Sequence, residues 1–209
     1  MHVPKSETNL LEILSFQEAL AACTREDWLY VPEHYTEYRY ILGTRGQNPL
    51  ICVGINPSTA EPGNLDNTCK SVERIALRNG FDSFLMFNVY AQRATDPDHM
   101  DHTLNETLHR ENMAAFAYLL SLSPAPTVWA AWGTIIEKRP YLRDCLREMI
   151  AIGEEAGAGW RCAGECSKAM GHPHHPLYLR KDAELEIFDV KNYLIGLENA
   201  PVKHKRGKN

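Results

Sequence analysis

Residues 50–63 read LICVGINPSTAEPG, and this stretch decides how the chain folds. Leu50, Ile51, Cys52, Val53 and Ile55 form a short apolar run of the kind buried on both faces of a parallel sheet. The run ends in Gly54, Asn56 and Pro57 and passes into a polar loop that carries glycine and proline. In open α/β sheets, ligands collect at the carboxyl ends of the strands, and Asn56 falls at such an end. An ordinary strand-to-turn junction carries the same Asn-Pro and Gly punctuation, so the loop alone leaves both readings open.

On the amino-terminal side, Arg39 to Leu42, the polar turn Gly43 to Pro49 and then Leu50 to Ile55 read as strand, turn and strand, a hairpin feeding a central sheet. Further upstream, Ser15 to Cys23 reads as a short helix on the sheet edge, with Ser15 and Glu18 spaced as a capping box. On the carboxyl side, the pattern predicts a helix over Cys69 to Asn79, closed by Gly80, then a strand from Ser83 to Tyr90 that runs into the polar loop Ala91 to Pro97. A strand, a helix and a strand in that order imply a parallel crossover. Asn105 to Leu122 reads as a long helix, and Thr127 to Gly133 as a third core strand before a helix from Tyr141 to Ile152. Gly153 to Gly164 reads as glycine-rich loop, Pro176 to Leu179 follows a histidine and proline cluster, and Leu185 to Leu197 reads as the last helix.

The 209 residues, 44% hydrophobic and 23% charged, suit a single domain over 1–209 with a full-sized core. Without a membrane-length apolar run or an apolar segment after Lys5, the chain reads as soluble and cytoplasmic. Six scattered cysteines, at 23, 52, 69, 145, 162 and 166, point to reduced thiols rather than a disulfide framework. A formal charge of -5 argues against a basic coat for nucleic acid, although residues 203–209 form a basic tail able to track phosphates or simply to stay solvated. Neither a GxxxxGK[ST] loop nor a GxGxxG fingerprint is present, which disfavours nucleoside-triphosphate and dinucleotide enzymes.

Taken in order, the strand ends and loops are Gly54-Ile55-Asn56-Pro57, Phe87-Asn88-Val89-Tyr90, Trp132-Gly133 and His175-Pro176-Leu177. This order resembles the uracil-DNA glycosylase superfamily, and the Gly-Ile-Asn-Pro ending resembles its mismatch-specific branch. The longer pattern, Asn-Pro-Ser-Thr-Ala at 56–60, Asn-Val-Tyr-Ala-Gln-Arg-Ala-Thr-Asp-Pro at 88–97, Ala-Trp-Gly at 131–133 and His-Pro-Leu-Tyr at 175–178, is similar to a narrower bacterial and phage family catalogued as a domain of unknown function. The strand pattern predicts an α/β fold, a three-layer α/β/α sandwich with a short, mainly parallel central sheet, and the resemblance makes that sheet uracil-DNA glycosylase-like.

The resemblance implies a monofunctional DNA glycosylase acting on a base flipped out of duplex or single-stranded DNA, with no cofactor, no metal, no membrane and no obligate protein partner. Breaking an N-glycosidic bond puts positive charge on the sugar and negative charge on the departing base, so such a site orients water and stabilises an anion. By resemblance, Asn56 positions the water and His175 supports the leaving base. Asp66 either accepts the water's proton or simply caps the following helix. Asn88 carries a donor and an acceptor for a pyrimidine edge, or is a satisfied strand-end amide. Ser58, Thr59 and Glu61 are candidate partners for hydroxyls on an enlarged base, Leu177 is a candidate wedge or core residue, and Tyr90 and Tyr178 stack on a base or fill the core. Phe87 reads as core. Because this loop replaces the superfamily's compact Asn-Pro-Gly, and because the narrower family resembles antiviral glycosylases of hypermodified cytosine, the expected substrate is a hydroxymethylated or glucosylated cytosine in phage DNA. The alternatives are a uracil or thymine mismatch glycosylase and a non-catalytic nucleic-acid-binding module built on zinc, held by Cys162, Cys166, His172 and His174 or His175.

Overall fold

The computed structural model describes residues 12–164, 166, 167 and 171–200, so the basic tail at 203–209 lies outside the described residues. The elements run α1 (Phe16–Ala21), β1 (Trp28–Val31), β2 (Ile41–Thr44), β3 (Pro49–Gly54), α2 (Asn67–Arg78), β4 (Ser83–Asn88), α3 (Glu106–Ser121), β5 (Thr127–Ala130), α4 (Tyr141–Glu155), β6 (Gly159–Ala163), β7 (Leu185–Ile187) and α5 (Val190–Asn199). The protein is an α/β fold around a seven-stranded mixed sheet in the order β1-β2-β4-β3-β5-β6-β7. The four inner strands β4, β3, β5 and β6 are parallel, and the antiparallel pairings lie toward the two edges.

Side-chain alternation explains why the inner strands are apolar throughout. Ile51 and Val53, Leu85 and Phe87, and Val128 and Ala130 join a cluster that includes residues of α1, α3, α4 and α5. Their neighbours Leu50 and Cys52, Phe84 and Met86, and Trp129 join a second cluster with Cys69, Val72, Ile75 and Ala76 of α2. Every residue of β3 and β4 is buried, as a strand covered on both faces requires.

The helix caps follow the sequence closely. Ser15 and Glu18 form the capping box, the Glu18 backbone N–H donating to Ser15 Oγ at 3.3 Å and the Ser15 N–H to Glu18 Oε2 at 3.1 Å. Asn105 Oδ1 accepts from the Leu108 N–H at 3.1 Å and starts α3.

Strand pairing departs from the sequence reading in four places. The expected hairpin of β2 with β3 does not form: β2 pairs antiparallel with β4, with Leu42 opposite Met86 and Gly43 opposite Leu85. Gly43 permits this, since a Cβ there would lie 2.0 Å from the Phe84 carbonyl oxygen. The segment expected as loop from Gly153 to Gly164 contains β6, which is parallel to β5. The expected helix from Leu185 to Leu197 divides into β7 and α5, because Leu185 to Ile187 pairs with β6 and Asp189 caps α5 by accepting from the Asn192 N–H at 3.0 Å. Strand β1 has no counterpart in the sequence reading. Among the described residues no helix is long and apolar enough to cross a membrane.

Candidate functional site

Where β3 and β4 end, the chain opens a cavity of about 340 Å³ lined by residues from the β3 loop, the start of α2, the end of β4, the 94–97 loop and His175. A second cavity of about 510 Å³ adjoins it, sharing Ile55, Asn56, Thr95, Pro97 and His175, and extends to Trp132, His172 and Tyr178. The parallel pairing of β3 with β4 sets Gly54 opposite Asn88, so the two loops leave the sheet side by side. They are then stitched together: Val89 N–H donates to Gly54 O and Tyr90 N–H to Ile55 O, each at 2.9 Å, and Ala94 N–H donates to Pro57 O at 2.9 Å.

Asn56 belongs to this stitching. Its Nδ2 donates to Ala94 O at 2.6 Å and to Pro57 O at 3.2 Å, which occupies both amide hydrogens. The side-chain oxygen, an acceptor, is the atom left for a ligand or water. Asn88 is 1% exposed, and the amide orientation that satisfies its surroundings has the nitrogen donating to the Asn56 carbonyl at 3.3 Å and the Phe87 carbonyl at 3.2 Å. From behind, the fully buried Asn112 of α3 donates to the carbonyls of Asn88 at 3.0 Å and Val89 at 3.3 Å, fixing the end of β4.

Asp66 is the N-cap of α2, its Oδ1 accepting from the Cys69 N–H at 2.8 Å, and it also lines the smaller cavity. A cap of this type contributes about 1 kcal/mol to stability. Burial pushes the Cys69 thiol up to about 12, so Cys69 stays protonated at the cavity wall.

His175 enters from the loop that follows β6. Its Nδ1 accepts from the Leu177 N–H at 3.3 Å, which leaves the ring proton on Nε2 when the imidazole is neutral. Burial lowers its pKa below the ordinary 6.5, against an opposing pull from the Asp66 carboxylate, so the neutral form prevails at pH 7. Gly133, at φ +60°, lets β5 turn beneath this loop, and a Cβ there would lie 3.7 Å from His175 Cβ. Farther back, Tyr193 Oη accepts from Trp132 Nε1 at 3.0 Å and lies 2.9 Å from His172 Nδ1, tying the loop to α5 and the end of β5.

The structure therefore gathers Asn56, Ser58, Asp66, Asn88 and His175 around the smaller cavity and Tyr178 at the larger one. Four expected residues stand elsewhere. Tyr90 is fully buried in the core, with its hydroxyl donating to Asp101 Oδ2 at 2.7 Å and its ring 5.1 Å from that of Tyr141, so it has no face to offer a base. Thr59 is exposed and lines neither cavity, and Glu61 accepts from Tyr30 Oη at 3.1 Å. Leu177 is 48% exposed beside Tyr178, at 80%, outside both clusters of the core. Among the described residues no group of three or more His, Cys, Asp or Glu side chains is placed to hold a metal ion. Cys162 and Cys166 lie with sulfurs 3.8 Å apart, while His172 faces Tyr193 and, at 3.6 Å, Glu137.

Sequence reasoning missed Arg39, Arg93 and Asn112, all buried next to the site. The signal available for Arg39 is a lone cation set in the run Tyr38 to Leu42, where an apolar residue suits a buried segment.

Fold and site together define an α/β protein with a polar cavity at the carboxyl ends of parallel strands, a position where such sheets bind ligands. Residues 39–177 match the family described as Protein of unknown function (DUF1643), and the chain belongs to that family. The matched segment includes Asn56, Asp66, Asn88 and His175. No curated protein and no solved structure matches the chain.

Proposed function

We propose that this protein is a DNA glycosylase that hydrolyses the N-glycosidic bond of a flipped-out modified pyrimidine and leaves an abasic site. The observation that carries this reading is the convergence of Asn56, Asp66, Asn88 and His175 on one cavity at the ends of β3 and β4. These are the polar types that water-mediated base release calls for, and they come from four separate places in the chain. The arrangement is read as the three-layer α/β/α sandwich of the uracil-DNA glycosylase superfamily, with α2 packed on one face of the sheet and the other helices on the opposite face, as the two core clusters support.

In this reading Asn56 Oδ1 accepts a hydrogen from the attacking water and aims its lone pair at the sugar C1′. The Asp66 carboxylate stabilises the positive charge on the sugar and receives the water proton. The C1′–N bond breaks with its electron pair passing to the base, and His175 Nε2–H donates to the acceptor on which that charge gathers. Asn88 reads the base edge. The adjoining cavity of about 510 Å³ offers more room than a bare pyrimidine needs, which favours an enlarged base, and Ser58 is the candidate hydroxyl partner that lines the smaller cavity.

The test is incubation with matched DNAs carrying uracil, cytosine, hydroxymethylcytosine or glucosylated hydroxymethylcytosine, followed by counting abasic sites. Release of a modified cytosine with cytosine spared is the expected result. Preferential release of uracil would move the substrate to the superfamily's common base, and no release from any DNA would refute the glycosylase reading.

A further inference from the structure

Arg39 is 2% exposed, yet among the described residues its guanidinium makes a single hydrogen bond, Nη1 donating to Ala60 O at 3.0 Å. Its Nε is buried and unpartnered, and no carboxylate lies within ion-pair distance of it among the described residues. Arg39 lines the smaller cavity, and its charge interacts with that of Asp66, which lines the same cavity. A second buried guanidinium, Arg93, lies close enough to interact with it as well. Arg93 donates to Ser58 O and, at 3.0 Å, to Tyr30 Oη, stacks 4.3 Å over the Tyr35 ring and has an unpartnered Nε. Two buried cations with so few acceptors carry a large desolvation cost, and a fold tolerates that cost where a ligand supplies the missing acceptor.

The first turn of α2 supports the same location. The backbone N–H groups of Asn67 and Thr68 have no partner among the described residues, and both residues line the cavity beside Arg39. Asp66 borders the space too and opposes an anion there, so the anion belongs on the Arg39 side, where the guanidinium has N–H groups to spare.

We propose that Arg39, backed by Arg93 and the first turn of α2, forms a subsite for an oxygen-borne negative charge on the Arg39 side of the cavity. Two sources carry that chemistry: the departing base as it takes up the electron pair of the broken bond, and a phosphate of the substrate. The assignment to the departing base rests on the glycosylase reading above, whereas the subsite itself does not depend on that reading. For a departing base, Arg39 supplies the positive charge that a neutral His175 does not, and the two share the negative charge between them.

The experiment measures binding of three probes, 5-nitrouracil, which is anionic at neutral pH, uracil, which is neutral there, and inorganic phosphate, to the wild-type chain and to Arg39→Met and Arg39→Lys. For the base as source, the wild type binds 5-nitrouracil at least about tenfold more tightly than uracil, Arg39→Met loses that preference and Arg39→Lys keeps part of it. Arg39-dependent phosphate binding without a preference between the two bases assigns the subsite to a phosphate. Melting temperature checks the fold: removing a poorly partnered buried cation leaves Arg39→Met as stable as the wild type or more so. Anion binding unchanged in Arg39→Met, or absent from the wild type, overturns the subsite. A sharp fall in melting temperature with binding retained makes Arg39 a strut for the Ala60 loop instead. If no DNA loses a base while Arg39-dependent anion binding persists, the glycosylase reading falls and the subsite stands.

Discussion

Gly54 and Asn88 stand opposite each other across the parallel pairing of β3 with β4, so close that a Cβ on Gly54 would lie 3.1 Å from the Asn88 side-chain amide and 2.7 Å from Met86 Cε. Gly54 is thus the space into which the Asn88 amide turns to reach the Asn56 carbonyl. The glycine of the Gly-Ile-Asn-Pro loop is required by its neighbours on the adjacent strand, Met86 and Asn88.

Gly54→Ala should therefore displace Asn88 and Met86 together. Overpacking of this kind costs about 1–3 kcal/mol, and misplacing a reacting or reading group by about 1 Å can cost on the order of 100-fold in rate. Thermal melting and abasic-site formation, measured on the same preparation, give the two effects. A variant with unchanged base release would show that Asn88 does not read the substrate.

Asn56→Asp retains an oxygen acceptor but removes the donor to Ala94 O and sets a carboxylate against two carbonyls. We expect base release to fall by about 100-fold or more, since the loop that carries the water-positioning oxygen loses its side-chain tie to the 94–97 loop and keeps only the backbone one. Duplex binding should persist, which a gel-shift assay checks. Activity near that of the wild type would remove Asn56 from the mechanism.

The His175 pKa is lowered from 6.5 by burial, and that fixes a sign. As pH falls below 6.5, the unfolded chain takes up a proton at this residue before the folded chain does, so folding stability declines until pH reaches the folded pKa and levels off below it. His175→Asn should flatten this part of the melting-temperature profile. Base release by the wild type should also fall on the acid side, because protonating Nδ1 breaks its hydrogen bond with the Leu177 N–H. A melting profile with the same acid slope in both proteins would contradict the assignment.

Tyr193→Phe deletes the hydroxyl that accepts from Trp132 Nε1 and meets His172 Nδ1. Leaving buried polar groups unsatisfied costs about 1–3 kcal/mol each, so the variant should melt several degrees lower. Because His172 and His175 share one loop, base release should drop at a temperature where the variant is still folded. Unaltered release there would confine the Tyr193 contacts to stability.

Much of the fold was legible because its signals are local. The apolar runs at Leu50 to Val53 and Ser83 to Phe87 announce strands covered on both faces, and Ser15, Asp66 and Asn105 announce helix starts through side chains that cap the very next turn. A family of unknown function was expected from the sequence too, and residues 39–177 match one. Asn56 and Asn88 stand out as polar residues at strand ends, whereas the choice of His175 over His172 and His174 rests on the resemblance of His-Pro-Leu to a family motif.

By itself the sequence determined which segments are buried strands, where the helices with side-chain caps begin, and which polar residues stand at the strand ends. Only the tertiary structure decided that β2 lies against β4, that β7 separates from α5, that Tyr90 turns into the core, and that Arg39 lines the cavity with its Nε unpartnered among the described residues. The physical reason is one of range. Periodicity and capping act over a single turn or strand and leave their mark in neighbouring residues, whereas strand partners and the surroundings of a buried charge are set by groups distant along the chain, such as Gly43 beside Phe84 or Arg39 beside Ala60.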